Sequence, residues 1–144
     1  MSTEISPETR KDFDNLLQLL VPFAEQMLRK HGEFYPFGAM VTTEGELSPC
    51  KTEEQSEMPD SNQVITSLVN ALQNEVRNGK IRAAGTCHDG RITQGDKKQD
   101  VIILHLEHLT GSVYKGYIPY KKGMFGRLHL GQLSTGVGEV RIFV

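Results

Sequence analysis

Tryptophan is absent, and cysteine occurs only twice, at Cys50 and Cys87, far apart and without a CxxC partner. That excludes a disulfide framework and a thiolate zinc site, and predicts two reduced thiols. No stretch approaches the roughly 18 consecutive apolar residues of a membrane span. Neither sign of charge dominates: the net charge is −2 and the pI is near 6.2, which gives no global pull towards nucleic acid or anionic lipid. Residues 1–13 are polar and lack the pattern of a secretory signal, so the expected location is the cytoplasm. There is no Walker loop, no GxGxxG after a strand, no GxSxG and no HExxH. Gly123 and Gly126 form a lone glycine pair with no phosphate-binding helix after them. These absences leave most recognisable catalytic classes without support.

What remains is ordinary globular material, 38% hydrophobic and 24% charged over 144 residues. That length suits one domain burying roughly two thirds of its unfolded surface. The pattern is organised around residues 100–122, which read as two strands joined at Thr110 and Gly111. Residues 101–106 are apolar on both faces, as expected of a central strand covered above and below. A two-residue loop at Thr110 and Gly111 would pair Leu109 with Ser112, Ile103 with Ile118 and Leu104 with Tyr117. Pro119 cannot donate to a ladder, which predicts an edge, a bulge or an end there.

Ser6, Pro7 and Glu8 make a helix start: a hydroxyl cap, proline at the first helical position and an acid at the positive dipole end. Phe13, Leu16, Leu17, Leu20, Ala24, Met27, Leu28 and His31 then recur at helical spacing, and Gly32 closes a helix predicted over Pro7–His31. Pro22 predicts a kink, or two helices meeting near Val21. Strands are predicted at 39–43 and 46–52 around a turn at Glu44 and Gly45, followed by an acidic, structureless connection at 53–59. A second helix is predicted over 61–78, capped by Asp60 or Ser61 with Gln63 placed for a capping box, and burying Val64, Ile65, Leu68, Leu72 and Val76. Residues 80–88 resume β-structure before a turn at Asp89 and Gly90. Residues 91–99 read as a mobile connection, and 125–133 and 139–144 as two last strands. The fold class is α+β: a mostly antiparallel sheet of five or more strands with two helices, in the order α-β-β-α-β-β-β-β-β, as a single domain over 1–144.

The string from His31 to Ala39, HGEFYPFGA, is locally unusual. Together with LEH at 106–108, IPY at 118–120 and RIF at 141–143 it resembles a group of small bacterial proteins with no assigned activity. That resemblance implies a bacterial source and supplies no catalytic residue. The element order is similar to that of the roadblock and profilin-like scaffolds, a likeness of fold that does not fix function.

Candidate chemistry is thin. His105 and Glu107 face one way on their strand and His108 the other, so the three do not converge on a metal without help. His88 or His129 could join His105 only if their strands lie alongside. Cys87 and His88 point to opposite faces and cannot act as nucleophile and base for each other. Lys115, Lys121, Lys122 and Arg127, interleaved with Tyr114, Tyr117 and Tyr120, would suit single-stranded nucleic acid, but alternation divides the tyrosines between faces and the charge balance argues against it. Phe34, Tyr35, Pro36 and Phe37 either plug the core where the first helix turns into the sheet, which is favoured, or line a pocket or partner anchor.

The preferred reading is a non-enzymatic, regulatory or immunity-type interaction module. It would bind another protein or a second copy of itself as a homodimer, through a sheet edge or the aromatic segment, with no nucleic acid, membrane, cofactor or metal. The alternative is a small enzyme or ligand-binding protein with a pocket near Phe34, Tyr35, Phe37, Glu107 and Tyr114.

Overall fold

A computed structural model of the chain describes residues 5–50 and 60–144. Helix α1 (Pro7–His31) leads into strands β1 (Phe37–Thr42) and β2 (Leu47–Cys50), then helix α2 (Ser61–Arg77). Five strands come after it: β3 (Ile81–Gln94), β4 (Lys97–His108), β5 (Val113–Lys122), β6 (Leu128–Leu130) and β7 (Ser134–Gly136). The sheet order is β2-β1-β3-β4-β5-β6, every pairing is antiparallel, and β7 also pairs with β5. The α+β class and the element order agree with expectation. The acidic connection expected at 53–59 lies outside the described residues.

Both helices form for the reasons written in their ends. The Ser6 hydroxyl accepts from the Thr9 N–H, and Gly32, at φ 76°, closes α1 by donating its N–H to the Leu28 carbonyl. The Asp60 carboxylate accepts from the Asn62 N–H at the start of α2. Helix α1 runs unbroken through Pro22, so two helices meeting near Val21 is not what the chain does. The loss of one N–H is outweighed by an apolar stripe, with Phe13, Leu16, Leu20, Ala24 and Leu28 all buried on both sides of the proline.

The helices lie on opposite faces of the sheet. Helix α1 packs with Phe37, Ala39, Ala83, Cys87, Ile102, Leu104, Leu106 and Ile118 in the larger core. Helix α2 contributes Leu68 and Leu72 to a smaller core with Ile81, Ala84 and Ile142. Strand β4 is central, as its two-sided apolar start required.

Four expectations are corrected. The β4–β5 register is one residue off: Leu104 pairs with Gly116 and Ile103 with Tyr117. The loop has three residues, Leu109, Thr110 and Gly111, with the His108 N–H donating to the Ser112 carbonyl and Gly111 at φ 97°. A left-handed glycine in third place is the signature of that longer hairpin. Asp89 and Gly90 are not a turn. They lie inside β3, where Gly90 pairs with Val101 and a Cβ would come 2.5 Å from the tip of the Ile103 side chain, Cδ1. Residues 91–99 are not a mobile connection either, since β3 and β4 pair from Ala83–His108 to Gln94–Lys97 and turn at Gly95 and Asp96. Finally, 139–144 is not a strand. The last strand is the short β7, inside the expected separator, and the chain beyond it is an extended segment laid across the α2 face.

Close approach of β1 and β3 under α2 leaves no room at Gly38, where a Cβ would sit 2.7 Å from the Gly85 carbonyl oxygen and 3.4 Å from Leu68. The backbone cannot move aside cheaply. Gly38→Ala is expected to lower stability by about 1–3 kcal/mol, read as a lower urea midpoint with an unchanged slope; an unchanged midpoint would contradict this packing.

Candidate functional site

Among the described residues, four places bring together polar or exposed aromatic groups that could act on something outside the chain. The first joins the start of α1 to the sheet. Asp12 is buried on the apolar stripe and accepts two hydrogen bonds from the Arg82 guanidinium, each 2.9 Å, and one from His108 Nε2 at 2.9 Å. Arg82 reaches it because β3 bulges: Val41 pairs with Ala83 but Thr42 with Ile81, leaving Arg82 unpaired and turned towards α1. On its other side, His108 Nδ1 accepts from the Thr110 N–H at 3.2 Å and lies 3.0 Å from the Thr110 hydroxyl, which meets Thr9 at 3.2 Å. Nδ1 as an acceptor places the ring proton on Nε2, facing Asp12. Burial pushes the Asp12 carboxyl up, but Arg82 and His108 outweigh it and hold the group below its ordinary range. The hydroxyl–imidazole–carboxylate order resembles a nucleophile triad. However, Arg82 neutralises the carboxylate and both imidazole nitrogens are engaged within the chain. This is a staple between helix and hairpin.

The second place is Glu107, 1% exposed, on the opposite face of β4. Its oxygens accept from the backbone N–H groups of Arg141 (2.9 Å), Ile142 (2.9 Å) and Phe143 (3.1 Å), and from His105 Nε2 at 2.6 Å. Burial raises this carboxyl, and the His105 bond followed by the three N–H bonds pulls it back to below the ordinary value. The result is a clamp that holds the final segment down and seats Ile142, fully buried, against α2. Beside it, His88 Nδ1 is buried with no hydrogen-bond partner among the described residues. Burial, then Lys115, Arg141 and His105, push His88 down to about 4, so it is neutral at neutral pH.

The third is a cleft of about 450 Å³ at the C-terminal end of α1. Met27, Phe34 and Tyr35 give it apolar walls, and Glu33, Asp89, His31 and Ser61 give it polar ones. Burial raises the Asp89 carboxyl, which accepts a 2.6 Å bond from the Tyr120 hydroxyl.

The fourth is the tip between β5 and β6. Phe125 is 97% exposed and Met124 79%, in a chain whose other aromatic rings are mostly packed. Phe125 sits at φ 62°, ψ 32°, the one non-glycine residue with positive φ among the described residues. Gly123 donates its N–H to the Arg127 carbonyl at 2.6 Å and closes the loop. Lys121, Lys122, Arg127 and His129 are exposed around it.

The residues predicted as a single pocket are distributed. Phe34 and Tyr35 do line the cleft. Phe37 is buried between Phe23 and Phe34, with ring centroids 4.7 and 5.7 Å away, which is the core plug expected of that segment. Tyr114 lies near the other end of α1 against Phe13, at 6.3 Å. Glu107 is across the sheet and fully engaged. His105 and Glu107 share a face and His108 takes the other, as alternation required. His88 lies diagonal to His105, since Thr86 is the residue paired with it. His129 pairs with Lys121 on a distant strand. Among the described residues no group of three histidine, cysteine or acidic side chains is placed to hold a metal ion. Cys87 is buried on the α1 side with its thiol pushed up by burial, and cannot reach His88. The basic residues do not form one stacking face: Tyr120 is buried and Lys115 lies over Tyr117, 5.7 Å from its centroid.

Sequence reading passed over Asp12, Arg82 and Phe125. A threonine and an aspartate at 9 and 12, in step with Phe13 and Leu16, are the visible sign of a polar pair buried on an apolar stripe. Comparison of the chain with family models, with curated proteins and with solved structures returns no match.

Glu107→Gln replaces an oxygen by an amide that donates, leaving backbone N–H groups unanswered. We expect a loss of about 3 kcal/mol and faster amide exchange at Ile142 and Phe143. Because the folded carboxyl is depressed, the wild-type contribution is complete above the ordinary carboxylate value and disappears as pH falls through the lowered one. The variant should lack that acid-dependent part of the stability curve; an identical curve would remove the clamp.

Proposed function

We propose that the protein is a non-enzymatic interaction module that engages another protein through the β5–β6 tip. The observation that carries this reading is Phe125: an aromatic side chain almost wholly in water, in a left-handed backbone conformation that a residue with a Cβ adopts at a penalty of about 1–2 kcal/mol. At 97% exposure its ring gains little from packing against the described residues. Strain and exposure together at one residue suit a contact made with something else. Aromatic anchors ringed by polar groups are where binding energy concentrates in protein interfaces.

A sheet edge is the weaker candidate for the same role. The outer strand β2 is short and carries Pro49, paired with Ala39, which removes a donor from the edge. A regulatory or immunity-type role in a bacterium falls within this proposal, in line with the HGEFYPFGA resemblance. The test is a photo-crosslinking phenylalanine analogue at position 125 in living cells of the source organism, with exposed Asn70 on α2 as control. Discrete adducts from 125 and none from 70 are expected; their absence, or equal adducts at both, refutes the proposal.

A second reading, a ligand-binding protein, is favoured by the cleft at Phe34 and Tyr35, whose volume is in the range of small-molecule sites. A bound fragment would shift the amide resonances of His31, Glu33 and Ser61 together. A fragment library that moves none of them ends this reading.

A further inference from the structure

The tip and the cleft are neighbours at one end of the molecule. Lys122, at the end of β5, brings its amine within 3.5 Å of where a Cβ on Gly32 would be, next to His31 and Glu33 of the cleft. Tyr120, two residues earlier on the same strand, donates its hydroxyl to Asp89 in the cleft wall. The two features are also opposite in kind. One is a protrusion with Met124 and Phe125 at its apex and Lys121 and Arg127 on its flanks, all exposed. The other is a concavity whose apolar walls, Met27, Phe34 and Tyr35, are rimmed by His31, Ser61 and the carboxylates of Glu33 and Asp89. Its volume of about 450 Å³ accommodates a phenyl ring.

We propose that the partner of the tip is a second copy of this chain, and that two protomers exchange tips, Phe125 of each entering the Met27–Phe34–Tyr35 cleft of the other. This rests on the reading of the tip as an interaction anchor and names its occupant. A two-fold axis between side-by-side protrusion and hollow makes both insertions at once, so the contact closes on itself instead of growing into a filament. Basic flanks then meet acidic rims twice, which sets the orientation. An anionic bilayer would also accept an apolar tip with lysines around it, but it would leave the aromatic, acid-rimmed hollow beside the tip facing a negatively charged surface.

Sedimentation velocity across a concentration series tests this on the full chain. The wild type is expected to reach twice the chain mass, and Phe125→Ser to weaken self-association about 30-fold or more. Because Phe125 is almost wholly exposed, the variant should fold normally by circular dichroism. Tyr35→Arg, at a residue 53% exposed, should do the same from the other side of the contact. Mixing the two variants should recover a heterodimer weaker than the wild-type dimer, since the intact tip of Tyr35→Arg can enter the intact cleft of Phe125→Ser and restores one insertion of the two. A monomeric wild type, a dimer untouched by both variants, or a mixture that stays monomeric overturns the exchange. Co-sedimentation of a monomeric wild type with phosphatidylserine vesicles, lost in Phe125→Ser, also overturns it and assigns the tip to lipid. Adducts to a different protein from position 125, with a monomeric wild type, would leave the interaction reading standing and remove self-pairing alone.

Discussion

A buried carboxylate with every lone pair spoken for holds this fold's second face together. Glu107 could not be ionised inside the protein without donors, because the desolvation of a lone charge amounts to several kcal/mol. Three consecutive backbone N–H groups and one imidazole supply them. The donors come from a segment with no ladder of its own, and that segment could not lie against the sheet if its N–H groups were unanswered. Charge and segment therefore satisfy each other. With the segment in place Ile142 completes the small core, and Gln73 of α2 donates to the Arg141 carbonyl at 2.6 Å. Helix α2 has only Val64, Leu68 and Leu72 fully buried, so this added contact matters to how it docks.

The other face obeys a different rule. Helix α1 is long and its stripe is almost continuous, so apolar burial alone would secure it. The polar group inserted at Asp12 does something burial cannot: it fixes where along the sheet the helix sits. A two-pronged guanidinium bond and an imidazole bond at 2.9 Å tolerate little sliding, whereas leucines packed on leucines tolerate more. The bulge at Arg82 and the three-residue loop after His108 both serve to bring these partners to one point.

Much of the architecture was legible in the residues. Helix α1 was readable to both ends because its caps are explicit, and α2 to within one residue at its end. The two-sided apolar run at 101–106 correctly marked the sheet's centre. Failures came where two local signals competed. Asp89 and Gly90 carry turn chemistry, but both continue the ladder opposite Ile102 and Val101, a pairing that sequence does not display. Thr110 and Gly111 fit a two-residue loop as well as the end of a three-residue one, and that single residue shifts every cross-strand pair. Residues 139–144 alternate like a strand yet have no neighbouring ladder to join. At the candidate site, the favoured reading of the aromatic segment as a core plug holds for Phe34 and Phe37, and Tyr35 is the part that stays exposed. Glu107 was conspicuous for a reason unrelated to a pocket, and Phe125 was masked because exposure and backbone sign are properties of the fold.

The clamp at Glu107 has an evolutionary corollary. It recognises main chain, so the amide protons of residues 141 and 143 do the holding whatever side chains those positions carry. Proline is therefore barred from 141 to 143 and the number of residues between β7 and Ile142 is fixed, while Phe143 is held besides by its packing against the smaller core. Relatives of this chain would keep the acid, the spacing and an apolar residue at 142, so the length of that last segment marks kinship as much as its letters do.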